Sequence, residues 1–189
     1  TGWLELSGNK YFLTASGAME TGWLLDNGSW YYFDASGAMT KGWLCLGGVW
    51  YWLDLETGVM ATGPAEISGT KYYFASNGAM ASGAWVLDGS DWYYADASGA
   101  LSRGWMYNGN WYYLDPATCK MAKSLQEIGG TKYFFNNDSG AMAVGWGLDS
   151  DGSWCWGSSS GALATGWVKA GSWYYMDPKT CRMRTGWLE

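Results

Sequence analysis

The stretch Gly22-Trp23-Leu24-Leu25-Asp26-Asn27-Gly28-Ser29-Trp30-Tyr31-Tyr32-Phe33-Asp34-Ala35-Ser36-Gly37-Ala38-Met39-Thr40-Lys41 decides how the rest of the chain is read. A short apolar run from Trp23 leads into Asp26-Asn27-Gly28. A second run, Trp30 to Phe33, is almost wholly aromatic. Two strand-like runs joined by an Asn-Gly turn read as a β-hairpin. The cluster Asp34 to Gly37 then closes the unit with turn residues. One hairpin alone is marginal in water, so such a unit has to stack on something.

It stacks on copies of itself. Gly-Trp recurs about every 20 residues, at Gly2-Trp3, Gly22-Trp23, Gly42-Trp43, Gly104-Trp105, Gly145-Trp146, Gly166-Trp167 and Gly186-Trp187. Units starting at Gly63-Pro64, Gly83-Ala84-Trp85 and Ser124 depart from the pair. Cut at these points, the chain holds nine units and the start of a tenth. A fixed short period means one supersecondary unit copied end to end. The expected fold is therefore all-β, a solenoid of stacked β-hairpins, across 1–189 as one repeat module. The chain opens and stops inside a repeat, at Thr1 and at Trp187-Leu188-Glu189, which predicts a piece of a longer protein.

A longer period runs through the shorter one. Units one, four and seven share Lys10-Tyr11-Phe12, Lys71-Tyr72-Tyr73 and Lys132-Tyr133-Phe134. Units three, six and nine share Asp54-Thr57-Met60, Asp115-Thr118-Met121 and Asp177-Thr180-Met183. The super-repeat is thus three hairpins, over 1–62, 63–123 and 124–185. A superhelix with about three hairpins per turn accounts for it, as does duplication of a three-hairpin block.

Composition narrows the function. Aromatic residues are 19% of the 189, and Trp alone numbers 16, far above ordinary usage. Net charge is −6 with no basic stripe, which argues against nucleic acid as partner. There is no histidine, so the commonest general base and zinc ligand are missing, and no metal or cofactor is expected. No long apolar run is present, so no membrane span is expected.

The tryptophans fall in pairs that flank each hairpin turn. In unit two these are Trp23 and Trp30. Across a hairpin such positions share one face, and the intervening Tyr faces the other way. Each unit then offers two indoles forward and one phenol backward, so three rings converge at each seam. Converging rings form a cage for a quaternary ammonium, which has no N–H for hydrogen bonding. Five complete triads are expected: Trp23, Trp30 and Tyr51; Trp43, Trp50 and Tyr72; Trp85, Trp92 and Tyr112; Trp105, Trp111 and Tyr133; Trp146, Trp154 and Tyr174. A sixth pair, Trp167 and Trp173, awaits its third ring. Lys10, Lys71 and Lys132 stand where the second Trp belongs, and each would put its own cation in the ligand's place. Unit eight has Cys155 in the Tyr position, and it follows unit seven, which has no Trp pair. A plain core role is the alternative for these rings, and it suits the central Tyr residues and Phe33, Leu53 and Leu114. Trp is poorly suited to a fully buried repeat core.

The pattern Gly-Trp, then Gly-x-Trp-Tyr-Tyr, Asp and Gly-x-Met resembles the choline-binding, or cell-wall-binding, repeat of Gram-positive surface proteins and cell-wall hydrolases. The likeness covers essentially the whole chain. It is sharpest in units two, three, six and nine and loosest in four and seven. It implies a left-handed superhelix of hairpins, with choline held between successive hairpins by aromatic rings and often a Met. Met39, Met60, Met121 and Met183 match that Met, for which simple gap-filling is the alternative. The implied ligand is the phosphocholine of teichoic acids, and the implied role is extracellular, cell-wall-associated anchoring without catalysis. Similar repeats that bind glucan leave an α-glucan or wall-glycan module as a second reading. An adhesin stalk touching host proteins is a third, and a homodimer is compatible with all three.

Other chemistry is sparse. Asp26, Asp34, Asp88, Asp96, Asp115, Asp149 and Asp177 sit where turn chemistry explains them. Repetition also argues against an enzyme, since one active site needs no nine copies. Cys45, Cys119, Cys155 and Cys181 fit no zinc spacing and admit three disulfide pairings. Cys119 and Cys181 fall in the same slot three units apart, which makes a bridge between them a poor fit.

Overall fold

The computed structural model describes residues 1–187, and all eighteen regular elements are β-strands. In the first unit of the chain, β1 (Gly2–Leu6) pairs β2 (Asn9–Leu13), β3 (Gly22–Asp26) pairs β4 (Ser29–Phe33), β5 (Gly42–Leu46) pairs β6 (Val49–Leu53), and β7 (Gly63–Ile67) pairs β8 (Thr70–Phe74). β9 (Ala84–Asp88) and β10 (Asp91–Ala95) follow. In the second unit, β11 (Gly104–Asn108) pairs β12 (Asn110–Leu114), β13 (Ser124–Ile128) pairs β14 (Thr131–Phe135), β15 (Gly145–Leu148) pairs β16 (Trp154–Gly157), and β17 (Gly166–Ala170) pairs β18 (Ser172–Met176). Two compact units result: 1–88 with 95–101, and 89–94 with 102 onward. The first holds hairpins one to four whole, and the second holds hairpins six to nine.

The turns follow from residue type. Asn27 and Gly28 both have positive φ, 48° and 81°. That is the twisted two-residue turn that suits antiparallel strands. In the loop after the hairpin, the Asp34 carboxylate accepts from the Ser36 N–H at 2.8 Å and the Ala38 N–H at 3.1 Å. Asp54 and Asp177 do the same for Thr57 and Thr180, each at 2.8 Å. These bonds turn the chain back on itself.

The returning chain joins copy to copy. Thr40 donates its N–H to Tyr32 of its own hairpin, and Met39 donates to the carbonyl of Lys10 in the hairpin before. The same bond links Met60 to Trp30, Met80 to Trp50, Met142 to Trp111, Leu163 to Lys132 and Met183 to Trp154. Within each unit, successive hairpins are therefore laced through the backbone. The last residue of most second strands fills the core, whereas Leu13 at the end of β2 is half-buried and β16 ends in Gly157. Phe33, Leu53 and Phe74 in the first unit, and Leu114, Phe135 and Met176 in the second, are wholly buried. Each such side chain contributes about 1.5–3 kcal/mol by leaving water. The tryptophans are not among them.

Candidate functional site

Register sets each Trp pair on one face. Trp23 lies opposite Tyr32, and Trp30 lies opposite Leu25. Period-two alternation puts both indoles forward and turns Tyr31 back, where its ring meets Trp3 at 4.8 Å. At the next seam Trp23 stands 6.4 Å from Trp30 at 87°, and 5.0 Å from Tyr51 at 62°. Two perpendicular indoles and a phenol from the following hairpin thus make three walls. The same triad forms at Trp43, with Trp50 at 6.1 Å and Tyr72 at 5.0 Å. It forms at Trp105, with Trp111 at 6.3 Å and Tyr133 at 4.8 Å. It forms again at Trp146, with Trp154 at 5.9 Å and Tyr174 at 4.7 Å. Of the fifth expected triad, Trp85 belongs to the first unit and Trp92 and Tyr112 to the second. The pair Trp167 and Trp173 is 62% and 61% exposed, because no later hairpin among the described residues covers it.

The seams are open. Trp23, Trp30, Tyr51, Met60 and Asn77 line a cavity of about 310 Å³. Trp43, Trp50, Tyr72 and Met80 line one of about 560 Å³, with Ala97 and Ser98 at its edge. Trp146, Trp154, Tyr174 and Met183 line one of about 330 Å³. A further cavity of about 320 Å³ beside Trp92 and Met121 carries an Asp91–Lys120 ion pair at 2.6 Å. The cavities of Trp23 and Trp146 have little polar lining, and aromatic walls of this size suit a quaternary ammonium.

The turn residues of these cavities were not legible as wall residues. Asn77, Ala97 and Ser98 come from the turn two hairpins downstream, so three consecutive copies build one cavity. The methionines do more than fill gaps. Met60 lines the cavity and also lies on Gly78 of the next copy, as Met39 lies on Gly58 and Met121 on Gly140. A Cβ placed at Gly58 would stand 2.6 Å from Met39 Cε. The signal was in the sequence as a Met and a Gly about 18 residues apart. Units five and eight carry Leu101 and Leu163 in the Met position, and the matching Gly positions hold Cys119 and Cys181. Where a Met stands, the matching Gly position has no room for a Cβ, as at Gly58, Gly78 and Gly140; within the second unit the shorter Leu163 goes with a Cys181 side chain in that slot. All four cysteines are free; Cys45 is exposed and the other three are buried.

The seam between hairpins seven and eight is filled. Lys132 donates its ammonium to the Lys179 carbonyl in the turn of hairpin nine. Phe134, 1% exposed, presses against Gly147, where a Cβ would sit 2.6 Å from its ring. Cys155 replaces the Tyr and donates its thiol to the Gly147 carbonyl at 3.5 Å. Burial pushes that thiol up to about 11. Nearby, Asp149, 9% exposed, accepts from the Ser124 hydroxyl at 2.7 Å and pairs with Arg182 at 2.8 Å. Those contacts, the Ser124 bond foremost, hold its carboxyl below the usual range. Each lysine that replaces a Trp has a glutamate directly across the hairpin: Glu5 opposite Lys10, Glu66 opposite Lys71, and Glu127 opposite Lys132.

A choline-binding repeat pattern matches residues 1–39, 21–64 and 61–105, and a cell wall binding repeat pattern matches 106–116 and 124–142. The chain belongs to the choline-binding repeat family. Its fold is likewise that of the family's solved members. CbpJ of Streptococcus pneumoniae TIGR4 is 34% identical over 93% of this chain and 62% of that one, with a TM-score of 0.74. CbpF of Streptococcus pneumoniae, solved with a peptidoglycan analogue, is 34% identical over 87% and 58%, with a TM-score of 0.72. The choline-binding domain of CbpL from the same organism is 30% identical over 87% of both chains, with a TM-score of 0.55. The chain spans about three fifths of the length of CbpJ and CbpF. Among curated proteins nothing matches. The chain is thus a module of choline-binding repeats, and its aromatic clusters lie between successive hairpins, the position that the resemblance implied.

Proposed function

We propose that this module holds the phosphocholine groups of wall teichoic or lipoteichoic acid in its open seams, and so tethers an attached domain to the outside of the cell without catalysing a reaction. The observation that carries this reading is the seam between hairpins two and three. There, Trp23, Trp30 at 87° to it, Tyr51 at 62° to it, and Met60 surround a cavity of about 310 Å³. A trimethylammonium group is attracted to ring faces within about 6 Å, and such walls recur at the seams led by Trp43, Trp105 and Trp146. Each contact is weak alone. Several on one chain bind a polymer of repeated head groups by avidity, as the second and later contacts become intramolecular.

The test is retention on a quaternary-amine resin and elution by free choline, followed by a choline soak of crystals. Density is expected at the seams of Trp23, Trp43, Trp105 and Trp146, and none at Lys132. Flow through the resin, or retention only on an α-glucan column, overturns the reading.

A further inference from the structure

We infer that Tyr107 is a fourth ring wall of the cage formed by Trp105, Trp111 and Tyr133, and that it makes this seam the strongest site of the module for a methylated ammonium. The inference rests on the proposed function and adds a residue that no repeat pattern assigns. Tyr107 lies directly across the hairpin from Trp111, and its ring is 5.4 Å from that indole at 60°. Alternation places it on the same face as Trp105. Other hairpins carry a small or aliphatic side chain opposite the outer Trp: Leu25 faces Trp30, Cys45 faces Trp50, and Leu148 faces Trp154.

Hairpin nine shows what this position can reach. There Lys169 lies opposite Trp173, and its ammonium sits 5.5 Å above the indole ring. A side chain in this slot therefore extends to the indole face at which a cation approaches. With Tyr in the slot, the cation on Trp111 meets another ring's negative face instead of an alkyl group. Tyr107 is also 64% exposed and outside the core, so packing gives no reason for a ring there.

The probe is tetramethylammonium alone, which has no tail to contact anything beyond the cage. The chain is labelled with 5-fluorotryptophan and titrated by fluorine NMR. The resonances of Trp111, Trp30 and Trp154 are assigned by replacing each with Phe in turn. Trp111 is expected to respond at a concentration about 2–5-fold lower than the other two, the range of an exposed cation–ring contact. Tyr107→Leu, which copies hairpins two and eight, should raise the Trp111 midpoint by that factor, and Tyr107→Phe should leave it unchanged. An unaltered midpoint in Tyr107→Leu, or the same rise in Tyr107→Phe, overturns the inference while Trp30 and Trp154 still titrate. If no indole responds at all, the proposed function falls and the inference with it.

Discussion

The seam led by Trp23 and the seam led by Lys132 share one backbone and differ in everything that faces inward. The Met60 N–H donates to Trp30 and the Leu163 N–H donates to Lys132, each at 2.8 Å. One seam encloses a ring-walled cavity. The other is filled by Phe134, Cys155 and the lysine's bond to Lys179. Stacking therefore does not need the cage. What the two seams share is the backbone bond and the buried slot, filled by Phe33, Leu53 and Leu114 in other hairpins and by Phe135 in hairpin seven. A residue type that recurs at half-exposed positions without being needed for stacking is explained by what it holds.

The strongest way to break the comparison is Trp23→Ala. It removes the ring shared by Trp30, Tyr32 and Tyr51. Choline binding at that seam should weaken by at least about tenfold, while the Trp146 seam titrates as before. Indole-resolved NMR reads both at once.

Next in size is the exchange of packing between open and filled seams. Leu163→Met should destabilise by about 1–3 kcal/mol, because the longer side chain meets the Cys181 Cβ. Adding Cys181→Gly restores the pairing seen at Met60 and Gly78 and should recover much of the loss. The midpoint of urea unfolding for the single and double variants decides. A double variant no better than the single would break the account of the cysteines.

Acid should affect the loops more gently. The Thr180 and Lys179 N–H groups hold the Asp177 carboxyl at about 2, and Asp34 and Asp54 are lowered by their own loop bonds. An unfolded Asp titrates near 3.9 (roughly). A lowered folded value contributes stability that is complete above that pH and lost as pH falls through the folded value. The melting temperature should be level above about pH 5 and fall between about pH 4 and 2. Asp177→Asn should flatten part of that fall, since Asn136 already serves the same loop in hairpin seven by accepting from Ser139 at 2.8 Å.

The mildest probe sharpens the contrast without perturbing it. A water-soluble maleimide should label Cys45 in the native chain and leave Cys119, Cys155 and Cys181 untouched, as mass spectrometry would show. Burial raises the Cys155 and Cys181 thiols, so little thiolate forms at neutral pH. Rapid labelling of Cys155 would mean that the Lys132 seam opens.

Hairpins, turns and the forward-facing Trp pairs were legible in the sequence, because alternation and the positive φ of pairs such as Asn27-Gly28 are local properties. The lysine in the Trp slot of hairpin seven was legible too, but its bond to the Lys179 carbonyl was not. Only the tertiary structure decided that Asn77 completes the cavity of Trp23, that Met60 lies on Gly78, that Asp149 gathers Ser124 and Arg182, and that Tyr107 reaches Trp111. The first three join residues 18 to 54 positions apart in sequence, and the last depends on where a rotamer points. A cavity is the space left between side chains of separate copies, and no period in a single copy encodes its shape.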